Sequence, residues 1–261
     1  MARLAKRVFL ILLVLTPALQ ADSLDLTAAT VSPHDYTAVY QVFRNDKELG
    51  GVTISLSHQG EVWTLHGYTH DMHGLAKMLK IKGSQTSTGK WKDGRFLPDD
   101  YKLAFSLIGY RTGWSAVFDW SDGIVTTTSK DGETKLSLAD GAVDPFSLSL
   151  NFGSLLANNR LHMTLDVIDK DMIDSEVYAA EADESFDSAL GCLQTTRVKR
   201  IRENSKRISM VWYANDHDYI PVLIHHSKKK GNKMELQITS LDLDGQRIQP
   251  TNHCNGNHPG S

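Results

Sequence analysis

Strict alternation of apolar and polar residues, repeated in run after run, constrains this chain more than any other feature. In VTISLS (52–57), Val52, Ile54 and Leu56 fall on one side, and Thr53, Ser55 and Ser57 fall on the other. Successive side chains of a strand point to opposite faces, so this period describes a half-buried β-strand and not an amphipathic helix. The runs WTLHG (63–67), KLAFSLI (102–108), WSAVFDW (114–120) and LHMTLDV (161–167) repeat the pattern. So do ISMVWYA (208–214), YIPVLIH (219–225) and MELQITSL (234–241). Each is short, rich in β-branched or aromatic side chains, and bounded by turn residues. One buried and one wet face is the habit of antiparallel sheets. The expected fold is mainly β, a curved antiparallel sheet or open half-barrel.

One segment breaks the alternation. In VDPFSLSLNFGSLLANN (143–159), Asp144 can cap a helix, Pro145 suits a first turn, and Leu148, Phe152, Leu155 and Leu156 recur at helical spacing. The spacing predicts a helix over 144–158 on the concave side of the sheet, although Phe146, Leu148, Leu150 and Phe152 also fit an alternating reading. A shorter helical turn fits LAKMLK (75–80). A single helix cannot easily cover both ends of a concave face. An apolar pocket is therefore expected between it and the strands at 102–120 and 208–225, lined by Phe105, Trp114, Phe118, Phe152 and Trp212.

The N-terminus fixes where such a protein would work. Arg3, Lys6 and Arg7 precede an unbroken apolar run from Val8 to Leu15, then Pro17, Ala18 and Ala21. That is the layout of a secretory signal peptide over 1–21, with a core too short for a permanent span. No cysteine stands at the junction to take a lipid anchor. The expectation is a soluble periplasmic protein with no transmembrane segment after cleavage, a single β-rich domain over 22–250 and a flexible tail over 251–261.

Removing the three basic leader residues leaves 25 basic against 31 acidic residues. That balance argues against nucleic acid as a partner, since such binding depends on phosphate neutralisation by Lys and Arg. The local basic stretches KRIRENSKR (199–207) and KKKGNK (228–233) read as solvated strand edges and turns. The only cysteines, Cys192 and Cys254, can pair in an oxidising compartment or remain two separate thiols.

Three histidines in HGYTHDMH (His66, His70 and His73) are the candidate metal ligands, since imidazole suits Zn²⁺ or Cu²⁺. No H-E-x-x-H accompanies them, and a wet loop with ordinary histidines is the competing reading. The terminal NHCNGNHPGS, with His253, Cys254 and His258, would be a weak metal clip at best. WYANDHDYIPVLIHH (212–226) reads as two strands around a turn that carries Asp216, His217 and Asp218. Within it, His225 and His226 must point to opposite faces, and Pro221 implies an edge or a position whose N–H the ladder does not need. No G-x-S-x-G, phosphate-binding loop or dinucleotide fingerprint occurs. The acidic runs DVIDKDMIDSE (166–176) and EADESFDS (181–188) read as exposed loop faces. No set of residues argues for catalysis, and no cofactor is implied.

Several segments, in order, resemble one family. They are YQVFRNDKELGGVTISL, LPDDYKL, VFDW, GAVDPFSLSLNF, GCLQTTRVKR, MVWYANDHDYIPVLI and MELQITSLDLDG. Together they are similar to the domain-of-unknown-function 3108 family of exported proteins, found mainly in Gram-negative bacteria, over roughly residues 34–245. DPFSL and the W-x-A-x-D…Y-I-P-V run carry most of the specificity. GCLQ departs from the plain glycine turn common in the family, which leaves Cys192 outside the pattern. The resemblance implies a β-rich envelope protein and brings no activity with it. The strand-rich layout also resembles the half-barrel lipoprotein carriers and lipid-sensing domains of the periplasm, an analogy of fold that does not establish function.

Three functions follow. The first two are a non-enzymatic binder of a lipid, acyl chain or hydrophobic peptide, and an envelope scaffold or assembly factor with a filled core. The third is a metal-dependent activity through His66, His70 and His73.

Overall fold

The computed structural model describes residues 34–203, 205–228 and 231–254. The signal peptide expected over 1–21 and the last residues of the tail lie outside them. The chain opens with β1 (Tyr36–Arg44), β2 (Lys47–Gln59), β3 (Val62–His70), α1 (Gly74–Met78), β4 (Lys82–Lys92) and β5 (Arg95–Leu107). It continues with β6 (Tyr110–Asp119), β7 (Ile124–Ser129), β8 (Gly132–Ser137), α2 (Leu148–Ala157), β9 (His162–Asp169) and β10 (Met172–Ala180). The last elements are β11 (Glu184–Ser188), β12 (Gly191–Ile201), β13 (Arg207–Ala214), β14 (Ile220–Lys228), β15 (Asn232–Leu243) and β16 (Gln246–Arg247).

All the strands belong to one antiparallel sheet, ordered β8-β7-β6-β5-β4-β3-β2-β1-β15-β14-β13-β12-β10-β9, with β11 beside β12 and β16 beside β15. The period-two runs supply these strands directly: in β1 every second residue from Tyr36 to Val42 is buried. The connections follow from turn chemistry. Asn45 and Asp46 both adopt positive φ in the two-residue link from β1 to β2, as a hairpin of this length requires. The sheet is open and curls so that its two ends approach. Val143, beyond β8, makes a single parallel bridge to Val167 of β9, through Val143 N–H to Asp166 O (2.9 Å) and Ile168 N–H to Val143 O (2.9 Å). Trp114, Phe118 and Val125 from one end share a core cluster with Ile168 from the other.

The strand register gives this curl two unlike ends. At one, Trp63, Leu65, Phe96, Leu150, Leu190, Leu193, Ile220 and Leu241 form the largest packed cluster. Here the segment after β16 folds back along the start of β12, with Thr251 N–H to Leu190 O and Cys192 N–H to Asn252 O both at 2.9 Å. Gly191 permits that approach, because a Cβ there would stand 2.3 Å from Thr251 Oγ1. Cys192 and Cys254 are joined, with S–S 2.02 Å. Residues 251–254, assigned to a flexible tail on sequence, are thus held by backbone bonds and a covalent link. The other end is a mouth bordered by the β1–β2, β3–β4 and β5–β6 connections.

Three sequence expectations need adjustment. The helix starts at Leu148, because Asp144 organises a turn ahead of it and does not cap α2 directly. β14 is central, which removes the edge reading of Pro221 and leaves the other, a place where the ladder does not need its N–H: it sits beside a bulge between Trp212 and Tyr213, and β15 pairs with β14 only from Leu223. DVIDKDMIDSE forms most of the β9–β10 hairpin and not an exposed loop, and its Glu176 is buried.

Candidate ligand cavity

The turn that leads into α2 is fixed by one buried carboxylate. Asp144 accepts hydrogen bonds from the hydroxyls of Ser87 and Ser147 (both 2.6 Å) and from the N–H groups of Phe146 (2.8 Å) and Ser147 (2.9 Å). Burial pushes its carboxyl above the usual range, and these donors pull against that. The arrangement drives Phe146 down onto the sheet over Gly67, where a Cβ would stand 2.9 Å from the ring. Asn151 locks the helix to β5 by accepting from Phe96 N–H (3.1 Å) and donating to Phe96 O (3.0 Å). DPFSL is therefore a docking device for the helix.

Between α2 and the concave face lies a cavity of about 710 Å³, open at the mouth. That size is usual for small-molecule sites, which run to about 300–1,000 Å³. Its walls differ. Tyr40, Val52, Ile54, Leu103, Phe105 and Trp114 of β1–β6, with Phe146, Leu148 and Phe152, make one side mainly apolar, interrupted at β3 and β4 by Thr69, Ser84 and Gln85. The opposite wall, from β10 and from β12 to β14, carries Glu176, Tyr178, Arg200, Arg202, Ser209 and His226. The Tyr178 hydroxyl donates to Glu176, and Arg200 pairs with Glu176 and with Asp174 (2.7 Å). Burial is the main cause that pushes the Glu176 carboxyl up.

Phe105, Trp114 and Phe152, named from sequence, line the cavity, whereas Phe118 and Trp212 do not. Phe118 points inward below it and stacks on Trp120 (6.0 Å between centroids), filling the join between the sheet ends. Trp212 stands between Val211 and Tyr213, both cavity-lining, and so faces the other way. Its indole N–H donates to Glu184 (2.6 Å), and the Arg197 guanidinium lies 5.5 Å from its ring. Arg200 and Arg202, read on sequence as part of a solvated basic edge, line the cavity instead. The signal was present: Val198, Arg200 and Arg202 alternate on one face of β12 and the residues beyond it, and Val198 is buried.

The three histidines of HGYTHDMH do not converge. The His66 ring stacks on Tyr68 (5.5 Å), His70 bonds Thr53 Oγ1 (3.0 Å) and Asp71 (2.8 Å), and His73 faces Glu48 (3.4 Å). Among the described residues no three His, Cys, Asp or Glu side chains form a metal-holding group. His66, Tyr68 and His70 share the outer face of β3, where alternation keeps them, and His73 leaves along the following connection. At the 216–218 turn, His217 N–H bonds Ala214 O (3.3 Å) and Asp218 faces His34 (3.8 Å).

The model of the family described as "protein of unknown function (DUF3108)" matches residues 35–237. The chain belongs to that family. No curated protein matches the sequence. Among solved structures, a β-barrel-like protein of the DUF1849 family from Brucella abortus is similar over 81% of this chain and 98% of its own, with 11% identity and a TM-score of 0.55. That likeness is one of fold. Weaker matches are a protein assigned as a lipoprotein from Parabacteroides distasonis (8% identity, 80% of this chain, 95% of that one, TM-score 0.33) and a domain assigned to outer membrane lipoprotein sorting from Vibrio parahaemolyticus (13%, 80%, 85%, 0.21). No helix among the described residues is long and apolar enough to cross a membrane.

Proposed function

We propose that this protein is a non-enzymatic component of the bacterial envelope that holds a hydrophobic ligand, a lipid or acyl chain, in the cavity beneath α2. The observation that carries this reading is the opening of about 710 Å³ lined by Tyr40, Val52, Ile54, Leu103, Phe105 and Trp114 together with Phe146, Leu148 and Phe152 of the covering segment. Burial of apolar surface is worth roughly 25 cal/mol per Å², so the apolar part of this lining favours an apolar occupant over water. The leader over 1–21 supports a periplasmic setting, in which mature material begins near Asp22. The scattered histidines give no support to a metal-dependent activity.

Native mass spectrometry of protein purified from the periplasm, followed by solvent extraction, tests this reading. Co-purified lipid that is lost when Phe105 or Phe152 is replaced by a charged residue is the expected result. Ligand-free protein that also fails to take up any acyl probe would leave an envelope scaffold as the function.

A further inference from the structure

The proposed cavity is not uniformly greasy, and its polar side holds two arginines of which only one is ion-paired among the described residues. Arg200 uses the carboxylates of both Glu176 and Asp174. Arg202, one alternation further along, makes no ion pair among the described residues and donates only to Ser209 Oγ at 3.2 Å. The other groups that act on its guanidinium are Arg200 and Arg207, both unfavourable, and Glu176 and Tyr178, both favourable; of these two Glu176 is already engaged by Arg200, and the Tyr178 hydroxyl donates to Glu176. Burial, followed by the nearby Arg200, lowers the Arg202 pKa, the direction expected of a cation short of a counter-charge. Ser209 also bonds His226 Nδ1 (3.0 Å), so Arg202, Ser209 and His226 form a contiguous polar corner on the wall facing the apolar one.

We infer that the cavity selects an anionic amphiphile, with the acyl chain along Val52, Ile54, Leu103 and Phe105 and the anionic head oxygens against Arg202 and Ser209. This deepens the hydrophobic-ligand reading and rests on it. The planar guanidinium can meet two oxygens of a carboxylate or phosphate at once, which a point charge cannot. The apolar wall alone would accept neutral chains equally well, so head-group discrimination is the property that isolates the corner.

The test uses ligand-stripped mature protein and isothermal titration with three probes of one chain length at neutral pH: dodecanoate, dodecyl phosphate and dodecan-1-ol. A hydrogen bond to a charged group is worth about 1.5–3 kcal/mol, so one or both anions should bind roughly tenfold to a hundredfold more tightly than the alcohol. The tighter anion tells a carboxylate head from a phosphate head. Arg202→Gln should remove that preference while dodecan-1-ol affinity stays within about twofold, and Arg202→Lys should restore part of it. The comparison of probes on the unaltered protein stands even if the variants fold poorly. Equal binding of all three probes, or an anion preference that survives Arg202→Gln in folded protein, overturns the assignment and leaves the hydrophobic cavity standing. No binding of any probe overturns both.

Discussion

The two ends of the curled sheet are made by the same alternating strands, yet they are finished in opposite ways. At the sealed end, Trp63 is fully buried between Phe96 (5.6 Å, edge to face) and the close backbone at Gly89, and the 248–254 segment is drawn over the start of β12. At the mouth, apolar side chains are exposed: Leu75 and Met78 on α1, Ile108 in the β5–β6 turn and Tyr110 at the start of β6. Inside it, side chains such as Phe105 and Leu103 are only half-buried because they border the cavity. Stability is therefore concentrated at one end, and the other is free to carry a ligand site. Hydrophobic burial scales with area removed from water, so identical substitutions should cost different amounts at the two ends.

Trp63→Ala against Phe105→Ala is the pair with the largest expected effect. Truncating a buried aromatic costs about 3–5 kcal/mol. Trp63→Ala should fall in that range, and Phe105→Ala should cost less than half as much, because Phe105 is only partly buried and borders the cavity. Urea titrations with unchanged m-values would measure both. Equal losses would mean that the mouth is as tightly packed as the sealed end, and the contrast would collapse.

The hinge between the two regions is Asp144, which holds α2 over the cavity. Asp144→Ala leaves two hydroxyls and two N–H groups without their acceptor, an expected loss of about 1–3 kcal/mol or more. Asp144→Asn keeps the shape and should cost less. The sign of its pH dependence follows from the raised carboxyl. Ionisation is harder in the folded state than in the unfolded chain, so this group's contribution to stability is greatest in acid and declines as pH rises through the folded pKa. The gap between Asp144→Asn and the parent protein should therefore narrow from pH 4 to pH 7. A gap that widens would show that the four donors outweigh desolvation.

How far the sequence reached differs between the same two regions. Strands, an open antiparallel sheet, one main helix and three cavity-lining aromatics (Phe105, Trp114 and Phe152) were legible, because alternation reports burial directly. The failures share a cause: alternation tells which face a residue takes but not what lies opposite that face. Trp212 and Phe118 are both buried, but one lies under Arg197 on the outer side and the other fills the seam where the sheet ends meet. The basic stretch around Arg200 and Arg202 reads as solvated by composition, yet its parity with Val198 turns these two inward. The HGYTHDMH histidines look convergent along the chain but are spread along an outer face by the same rule.

The smallest effects belong at the mouth and the exposed turns, where the sequence is most polar or its apolar groups touch least. Met78 is 73% exposed, so Met78→Ser removes almost no buried surface. Asp216 and His217 sit in the turn between β13 and β14, where the backbone N–H of His217 donates to Ala214 O. All three substitutions should alter stability by no more than about 0.5 kcal/mol. Thermal melts of Met78→Ser, Asp216→Ala and His217→Ala alongside Trp63→Ala would set the scale of the whole contrast. If a turn variant melts like the parent protein but abolishes an envelope phenotype, that turn is a contact surface and the cavity is not the protein's only functional face. If Met78→Ser lowers stability by more than about 1 kcal/mol, the α1 rim is packed in solution. The mouth would then be more closed than the sheet's open end indicates.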